Sequence, residues 1–317
     1  MQTAAEIFRA LADPTRLRIV TLLRAMELSV GELAHVLGQS QPRVSRHVKI
    51  LADAGLADRR KEGSWVFLSL GQPERMQMLL AATEGWTADA ASANADAARL
   101  AAVRSDRAAA AQRYFESHAA IWDSIRSLHI AESEVEEALA RAIGDAPLGC
   151  LVDIGTGTGR ILALFGSRAT RAIGIDRSSE MLRVARSRLE LAGVEGSDLR
   201  QGDMYALPLA ASSADLVIFH QVLHYAQAPA AALAEAERVL APGGRLLIVD
   251  FAPHDREDLR ERDAHARLGF ADDAILAWLK ASGITGEVFE HLEGGELTVT
   301  IWRGRKSGSR LKIVQAA

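Results

Sequence analysis

The run Cys150-Leu151-Val152-Asp153-Ile154 passes directly into Gly155-Thr156-Gly157-Thr158-Gly159, and a helical pattern resumes at Arg160-Ile161-Leu162. A short apolar run, three glycines at alternate positions and a new helix predict a strand, a tight turn and a helix start. Glycine there lets a ligand approach the backbone amides at the helix N-terminus. The same alternation recurs downstream, where Ala172-Ile173-Gly174-Ile175-Asp176, Leu216-Val217-Ile218-Phe219 and Leu246-Leu247-Ile248-Val249-Asp250 are separated by helical stretches. This predicts an α/β domain with a parallel sheet of the Rossmann type, beginning near Leu148. A dinucleotide fingerprint would place glycine at position 160, where Arg160 stands. Asp176 ends the second run, 23 residues after Asp153, where a carboxylate can accept both hydroxyls of a ribose.

With 317 residues the chain is long enough for a second domain ahead of this one. At 49% hydrophobic and 25% charged, the composition excludes a disordered or collagen-like chain. No apolar run approaches the roughly 18 residues of a membrane span. The first residues lack the basic then apolar order of a signal peptide, so the sequence reads as cytoplasmic, without a membrane partner. The one cysteine, Cys150, excludes an intramolecular disulfide and a thiolate metal cluster, and reads as a small buried hydrophobe. Charge is uneven: residues 1–75 carry a net +3 and the remainder −7.

In the basic front, Ile7, Phe8 and Leu11, then Leu17, Ile19, Val20, Leu22 and Leu23, recur at helical spacing around a break at Asp13-Pro14-Thr15. Ser29 and Glu32 form a capping box opening a short helix that Gly38 ends. Ser40, with Pro42 in the first turn, caps the next helix. This is helix-turn-helix spacing. In the second helix Val44, Val48 and Leu51 face inward, leaving Gln41, Arg43, Ser45, Arg46 and His47 outward with the donors that base edges and phosphates require. His35 reads as solvent-facing. Leu56 to Lys61 and Trp65 to Leu70 flank Glu62-Gly63-Ser64 as a hairpin whose basic arm, Arg59, Arg60 and Lys61, reads as a wing.

Residues 88–111 hold 13 alanines and neither Pro nor Gly, which predicts a helical spacer with too little apolar bulk for a core. Aromatics return at Tyr114-Phe115 and Ile121-Trp122-Asp123, where the chain either packs on the next domain or covers a ligand. The sequence thus divides into 1–82, a DNA-binding domain to which the family resemblance given below adds dimerisation; 83–147, a helical connector and lid; 148–302, the α/β domain; and 303–317, a basic tail. That tail carries Arg303, Arg305, Lys306, Arg310 and Lys312 without an acidic partner and reads as a mobile, solvated end.

Ala12-Asp13-Pro14-Thr15-Arg16, the Ser40-Gln41-Pro42 turn and Leu51-Ala52-Asp53-Ala54-Gly55-Leu56 together resemble the ArsR family of winged-helix repressors over about residues 3–80. The resemblance implies an α+β winged helix and a homodimer reading two half-sites of an operator on double-stranded DNA. Metalloid-sensing members carry Cys-Val-Cys where this chain has Ser29-Val30-Gly31, so that site has no thiolate and no metal site is assigned. Further on, the Asp-x-Gly-x-Gly-x-Gly spacing, Asp176, Gln201-Gly202-Asp203-Met204, Ala206-Leu207-Pro208-Leu209, Ser213-Ala214-Asp215 and Arg238-Val239-Leu240-Ala241-Pro242-Gly243-Gly244 resemble class I S-adenosylmethionine (SAM)-dependent methyltransferases. The similarity runs from about Leu148 to Ile284 and is greatest to the quinone-biosynthesis C-methyltransferase branch. It implies a seven-stranded, mostly parallel sheet. It also implies that Asp153, Gly155, Gly157 and Gly159 cradle the amino-acid end of SAM, that Asp176 and Met181 take ribose and adenine, and that Asp203 and Met204 take adenine. Tyr114, Trp122 and Asp123 resemble the lid that covers SAM in that branch.

Methyl transfer from a sulfonium needs alignment, exclusion of water and, for some acceptors, a base. His220, after the fourth strand, is the base candidate and also a candidate cofactor contact. Gln221, His224, Tyr225 and Asp250 are candidate acceptor contacts, with His254 and His265 beyond. His220-Gln221-Val222-Leu223 stands where DNA amino-methylating enzymes carry Asn-Pro-Pro-Tyr, and no Pro-Cys nucleophile is present. The remaining acceptor is a small molecule, or none. Two readings follow: a transcriptional regulator coupling SAM or S-adenosylhomocysteine (SAH) binding to operator affinity, or an active small-molecule methyltransferase whose winged helix controls its own gene or pathway.

Overall fold

The structure, a computed structural model, describes residues 4–62, 65–71, 76, 79, 90–119, 132–146, 148–194, 196–293 and 296–308. Two compact units divide the chain, Met1–Ala110 and Ala111–Ala317. The division falls inside the stretch that the sequence reads as a connector.

The first unit is built from α1 (Ala4–Leu11), α2 (Pro14–Ala25), β1 (Leu28–Ser29), α3 (Val30–Leu37), α4 (Gln41–Asp53), β2 (Ala57–Glu62) and β3 (Trp65–Leu70). Local chemistry sets the helix ends. The Asp13 carboxylate accepts from Arg16 N at 3.1 Å ahead of Pro14. Ser29 and Glu32 exchange both bonds of the capping box, at 3.2 and 2.7 Å, and Gly38 closes α3 in the left-handed region at φ 64°. Ser40 occupies the cap position of α4 but makes no side-chain capping bond among the described residues. The antiparallel sheet has the order β1-β3-β2. Ile19, Val20, Leu33, Val36, Val44, Val48, Leu51 and Leu68 pack at its centre.

One long helix, α5 (Ala90–His118), follows. The expectation of a spacer without a core face needs correction, because Leu100 and Val103 are buried in the core of the first unit. Asp96 is buried as well, held by the Arg18 guanidinium through two bonds of 2.6 Å. Arg99 and Arg104 donate to the carbonyls of Val36 and Ala25, each at 2.8 Å. The alanines permit this close packing, and the polar side chains between them supply the specificity.

The second unit comprises the end of α5, then α6 (Glu132–Ile143), β4 (Leu148–Ile154), α7 (Arg160–Phe165), β5 (Ala169–Asp176), α8 (Ser179–Leu191), β6 (Asp198–Gln201), β7 (Ala214–His220), α9 (Pro229–Val239), β8 (Leu240–Phe251), α10 (Asp258–Arg262), α11 (Asp272–Ala281), β9 (Ile284–Leu292) and β10 (Val299–Lys306). Its seven-stranded sheet has the order β6-β5-β4-β7-β8-β10-β9, with the pairs from β6 to β8 parallel and β10 antiparallel to both neighbours. Side-chain alternation builds one core on each face: Leu216 and Ile218 join Leu151, Val249 and α6, whereas Val217 and Phe219 join Val152, Ile248 and α9. Strand order reverses on either side of β4, which opens a crevice at the carboxyl ends of β4 and β7.

The basic tail needs correction too. Arg303, Arg305 and Lys306 lie in β10, and Arg303 pairs with Glu287 at 2.9 Å and Lys306 with Glu237 at 2.9 Å. Arg310 and Lys312 lie outside the described residues. Cys150 is half-buried, not fully buried, and burial pushes its thiol pKa up. Among the described residues no helix is long and apolar enough to cross a membrane.

Candidate functional site

The turn after β4 is folded against the end of β5: Gly155 N and Thr156 N both donate to the Ile175 carbonyl, at 2.7 and 3.0 Å. Gly155, Gly157 and Gly159 all adopt left-handed φ values, of 69°, 53° and 79°. A Cβ at Gly155 would stand 2.2 Å from Val222 Cγ2, so sterics and backbone conformation both require glycine there. Asp153 at the strand end is buried. Asp176 accepts from Gly157 N and Ser178 N, each at 2.8 Å, one on each carboxylate oxygen. Burial pushes its pKa up, while these backbone bonds oppose the rise.

Ser178 caps α8 through Met181 N, and Met181 is buried in a small cluster with Ala119, packed by Tyr114, Phe115 and Tyr225. Asp203 is exposed and accepts from Tyr205 N at 3.0 Å, and Met204 is half-buried. Tyr205, which the sequence reading passed over, ties this loop to the start of α9, its hydroxyl accepting from Gln227 N and Ala228 N at 2.8 and 3.1 Å. Arg160, the departure from a dinucleotide motif, grips Glu136 with two bonds of 2.6 and 2.9 Å. A glycine turn that a ligand can approach closely, a carboxylate at the next strand end and buried Met181 beside it fit an adenosyl ligand bearing an amino-acid end.

At the end of β7, His220 is buried and Gln221 takes φ 50°, a left-handed backbone rare for a residue with a side chain. Gln221 is buried too, and its Oε1 has no hydrogen-bond partner among the described residues. His224 and Asp250 come together in the interior. The His224 Nδ1 to Asp250 Oδ1 distance is 2.7 Å, and the two side chains are 2% and 0% exposed. His224 N and Phe251 N also donate to that carboxylate, at 3.1 and 2.8 Å. Tyr225, Phe251 and His265 surround the imidazole, with ring centroids 4.0, 5.0 and 4.2 Å away.

Tyr225 is held well above the usual phenol pKa by burial, reinforced by the nearby Tyr114, Asp263 and Asp250. Of the lid residues, Tyr114 donates to Asp263 at 3.1 Å and has a raised pKa, chiefly from burial. Trp122 and Asp123 lie outside the described residues. Sequence spacing gives no signal for the His224–Asp250 pairing, since 26 residues separate the partners.

On the winged helix, Gln41, Arg43, Ser45, Arg46, Arg59 and Lys61 are exposed on α4 and β2. Two residues read as DNA-facing turn elsewhere. His47 is half-buried with Nδ1 3.7 Å from Asp13, and Arg60 pairs with Glu27 at 2.8 Å over the Phe67 ring. His35 is exposed.

Comparison with known proteins matches both units. Residues 13–59 match the bacterial regulatory protein arsR family, and residues 152–248 match a methyltransferase domain. The chain is 37% identical over 96 residues to the arsenic resistance transcriptional regulator ArsR2 of Pseudomonas putida, covering 28% of this chain and 84% of that one. It is 35% identical over 106 residues to the uncharacterized methyltransferase YcgJ of Bacillus subtilis, covering 33% and 42%. A chain of the complex between the Haloferax volcanii Trm112 methyltransferase activator and a methyltransferase superposes with TM-score 0.51 at 20% identity, covering 61% of this chain and 97% of that one, which shows the fold. Against three other curated relatives the chain spans 41%, 56% and 62% of their length.

Proposed function

Since the chain belongs to the ArsR family of bacterial regulatory proteins and carries a methyltransferase domain behind its winged helix, we propose that it is a DNA-binding transcriptional regulator whose operator affinity follows SAM or SAH binding. The observation that carries this reading is the continuity of α5. Near its start, Asp96, Arg99 and Arg104 clamp the helices of the winged unit; near its end, Tyr114 and Phe115 pack beside Met181 and Tyr225. A single helix that packs in the winged unit's core and carries aromatics beside the cofactor residues joins the two along the chain.

In this reading Asp153, Gly155, Gly157, Gly159, Asp176, Met181, Asp203, Met204 and His220 line the cofactor site. Arg43, Ser45 and Arg46 meet DNA, supported by Gln41, Arg59 and Lys61. The protein works as a cytoplasmic homodimer on a two-fold operator. When bound, SAM brings an electrophilic methyl group; the chain's residues hold and orient it.

The test is the affinity of the full chain for DNA upstream of its own gene, at one stated salt concentration, with no ligand, with SAM and with SAH. A shift of about tenfold, about 1.4 kcal/mol of coupling, is expected, and Tyr114→Phe should shrink it. Tight ligand binding with unchanged DNA affinity would overturn the regulatory coupling. The buried His224–Asp250 pair favours a second reading, in which the domain also turns over a small acceptor.

A further inference from the structure

We propose that His224 is a general base, positioned by Asp250, that takes the proton from a phenolic hydroxyl as that oxygen is methylated. This rests on SAM binding at the glycine turn, as set out above. A carboxylate only accepts hydrogen bonds, so the 2.7 Å contact fixes the proton on His224 Nδ1 and leaves a lone pair on Nε2. Among the described residues that Nε2, buried with the rest of the ring, has no hydrogen-bond partner. Asp250 cannot swing away, because two backbone amides hold the same carboxylate. The turn that carries His224 also carries Val222, whose methyl packs onto Gly155, so the imidazole belongs to the loop that roofs the glycine turn.

The chemistry of the pair selects the acceptor. A carboxylate is already ionised at neutral pH and gains nothing from a base, whereas a phenol, near pKa 10, keeps its proton until one removes it. The rings of Tyr225, Phe251 and His265 pack around His224 and give the base aromatic surroundings. In the step, the phenolic O–H bond breaks and its proton passes to Nε2. The oxygen forms a bond to the methyl carbon, and the methyl–sulfur electron pair leaves with sulfur as a neutral thioether. The titratable groups around the imidazole are Asp250, Tyr225 and His265, with His254, Asp263 and Tyr114 beyond them.

The test uses the full chain with SAM and two probes, catechol and octanoate, and reads SAH release, SAM affinity by calorimetry and the histidine ring nitrogens by 15N NMR. Catechol should be methylated and octanoate not. His224→Gln should lower kcat by about 10²- to 10⁴-fold, with SAM affinity unchanged. Asp250→Asn should lower kcat by a smaller factor and move the His224 tautomer signal. At pH 8 Nε2 should resonate as an unprotonated nitrogen. The proposal is overturned if His224→Gln keeps the wild-type rate, if Nε2 carries the proton at pH 8, if octanoate is methylated in preference to catechol, or if neither probe reacts while SAM binds. Failure of SAM itself to bind would instead overturn the cofactor reading on which this one rests.

Discussion

The two units carry the polar groups proposed to function in opposite ways. On the winged helix Arg43, Ser45 and Arg46 stand exposed on a helix whose other face is core, whereas Asp153 and Asp250 are buried near strand ends and His224 is buried in the turn after β7. A solvated reader is built cheaply and can be exchanged without disturbing the fold, because water satisfies it when DNA is absent. A buried group must be held by neighbours at every moment, so its partners become part of its function. The difference teaches where substitution should separate function from folding and where the two must fall together.

The comparison can be broken most sharply at Gly155. Gly155→Ala sets a Cβ against Val222 in a left-handed backbone, and SAM affinity measured by calorimetry should fall at least about 100-fold. Asp96→Ala, in the first unit, leaves Arg18 without its partner. As Arg18 is 28% exposed, the loss should be about 2–3 kcal/mol of stability in urea denaturation, below the cost for a fully buried pair. An exposed reader should behave otherwise: Arg46→Ala should weaken operator binding by about tenfold and flatten its salt slope by about one unit, with no change in Tm. Ser29→Ala, which removes one bond of the capping box, should cost about 1 kcal/mol in the same denaturation assay. The smallest effect is a pH slope. Burial raises the Asp176 pKa, so the folded protein holds that proton more tightly than the unfolded chain does. Stability should therefore decline as pH rises from about 3.9 through the folded value, and Asp176→Asn should remove that decline.

Local features were legible in the sequence because their causes are local. The capping box, the Asp13 cap, the glycine turn and the alternation that divides Leu216 and Ile218 from Val217 and Phe219 all follow from residues a few positions apart. What escaped depends on contacts between distant segments. Arg60 sits in a basic run and looks like a phosphate ligand, yet Glu27, 33 residues earlier, captures it. The alanine-rich stretch looks like a spacer because composition cannot show that Asp96 meets Arg18, 78 residues away. Arg303 and Lys306 look like a tail until β10 brings them to Glu287 and Glu237. His220 drew notice as the strand-end histidine, and the pairing of His224 with Asp250 appears only once the fold brings β8 beside the turn after β7.

The place of β10 between β8 and β9 has a consequence for synthesis. The last strand of the second sheet fills an interior slot, so β9 has no partner connecting it to β8 until residues 299–306 are made. Among the described residues, the core of the winged helix draws on the chain through Val103. About 200 residues separate those two events, some 10–40 s at ~5–20 residues per second. Each molecule therefore passes through an interval on the ribosome in which the winged helix is fully synthesised and the domain behind it is not.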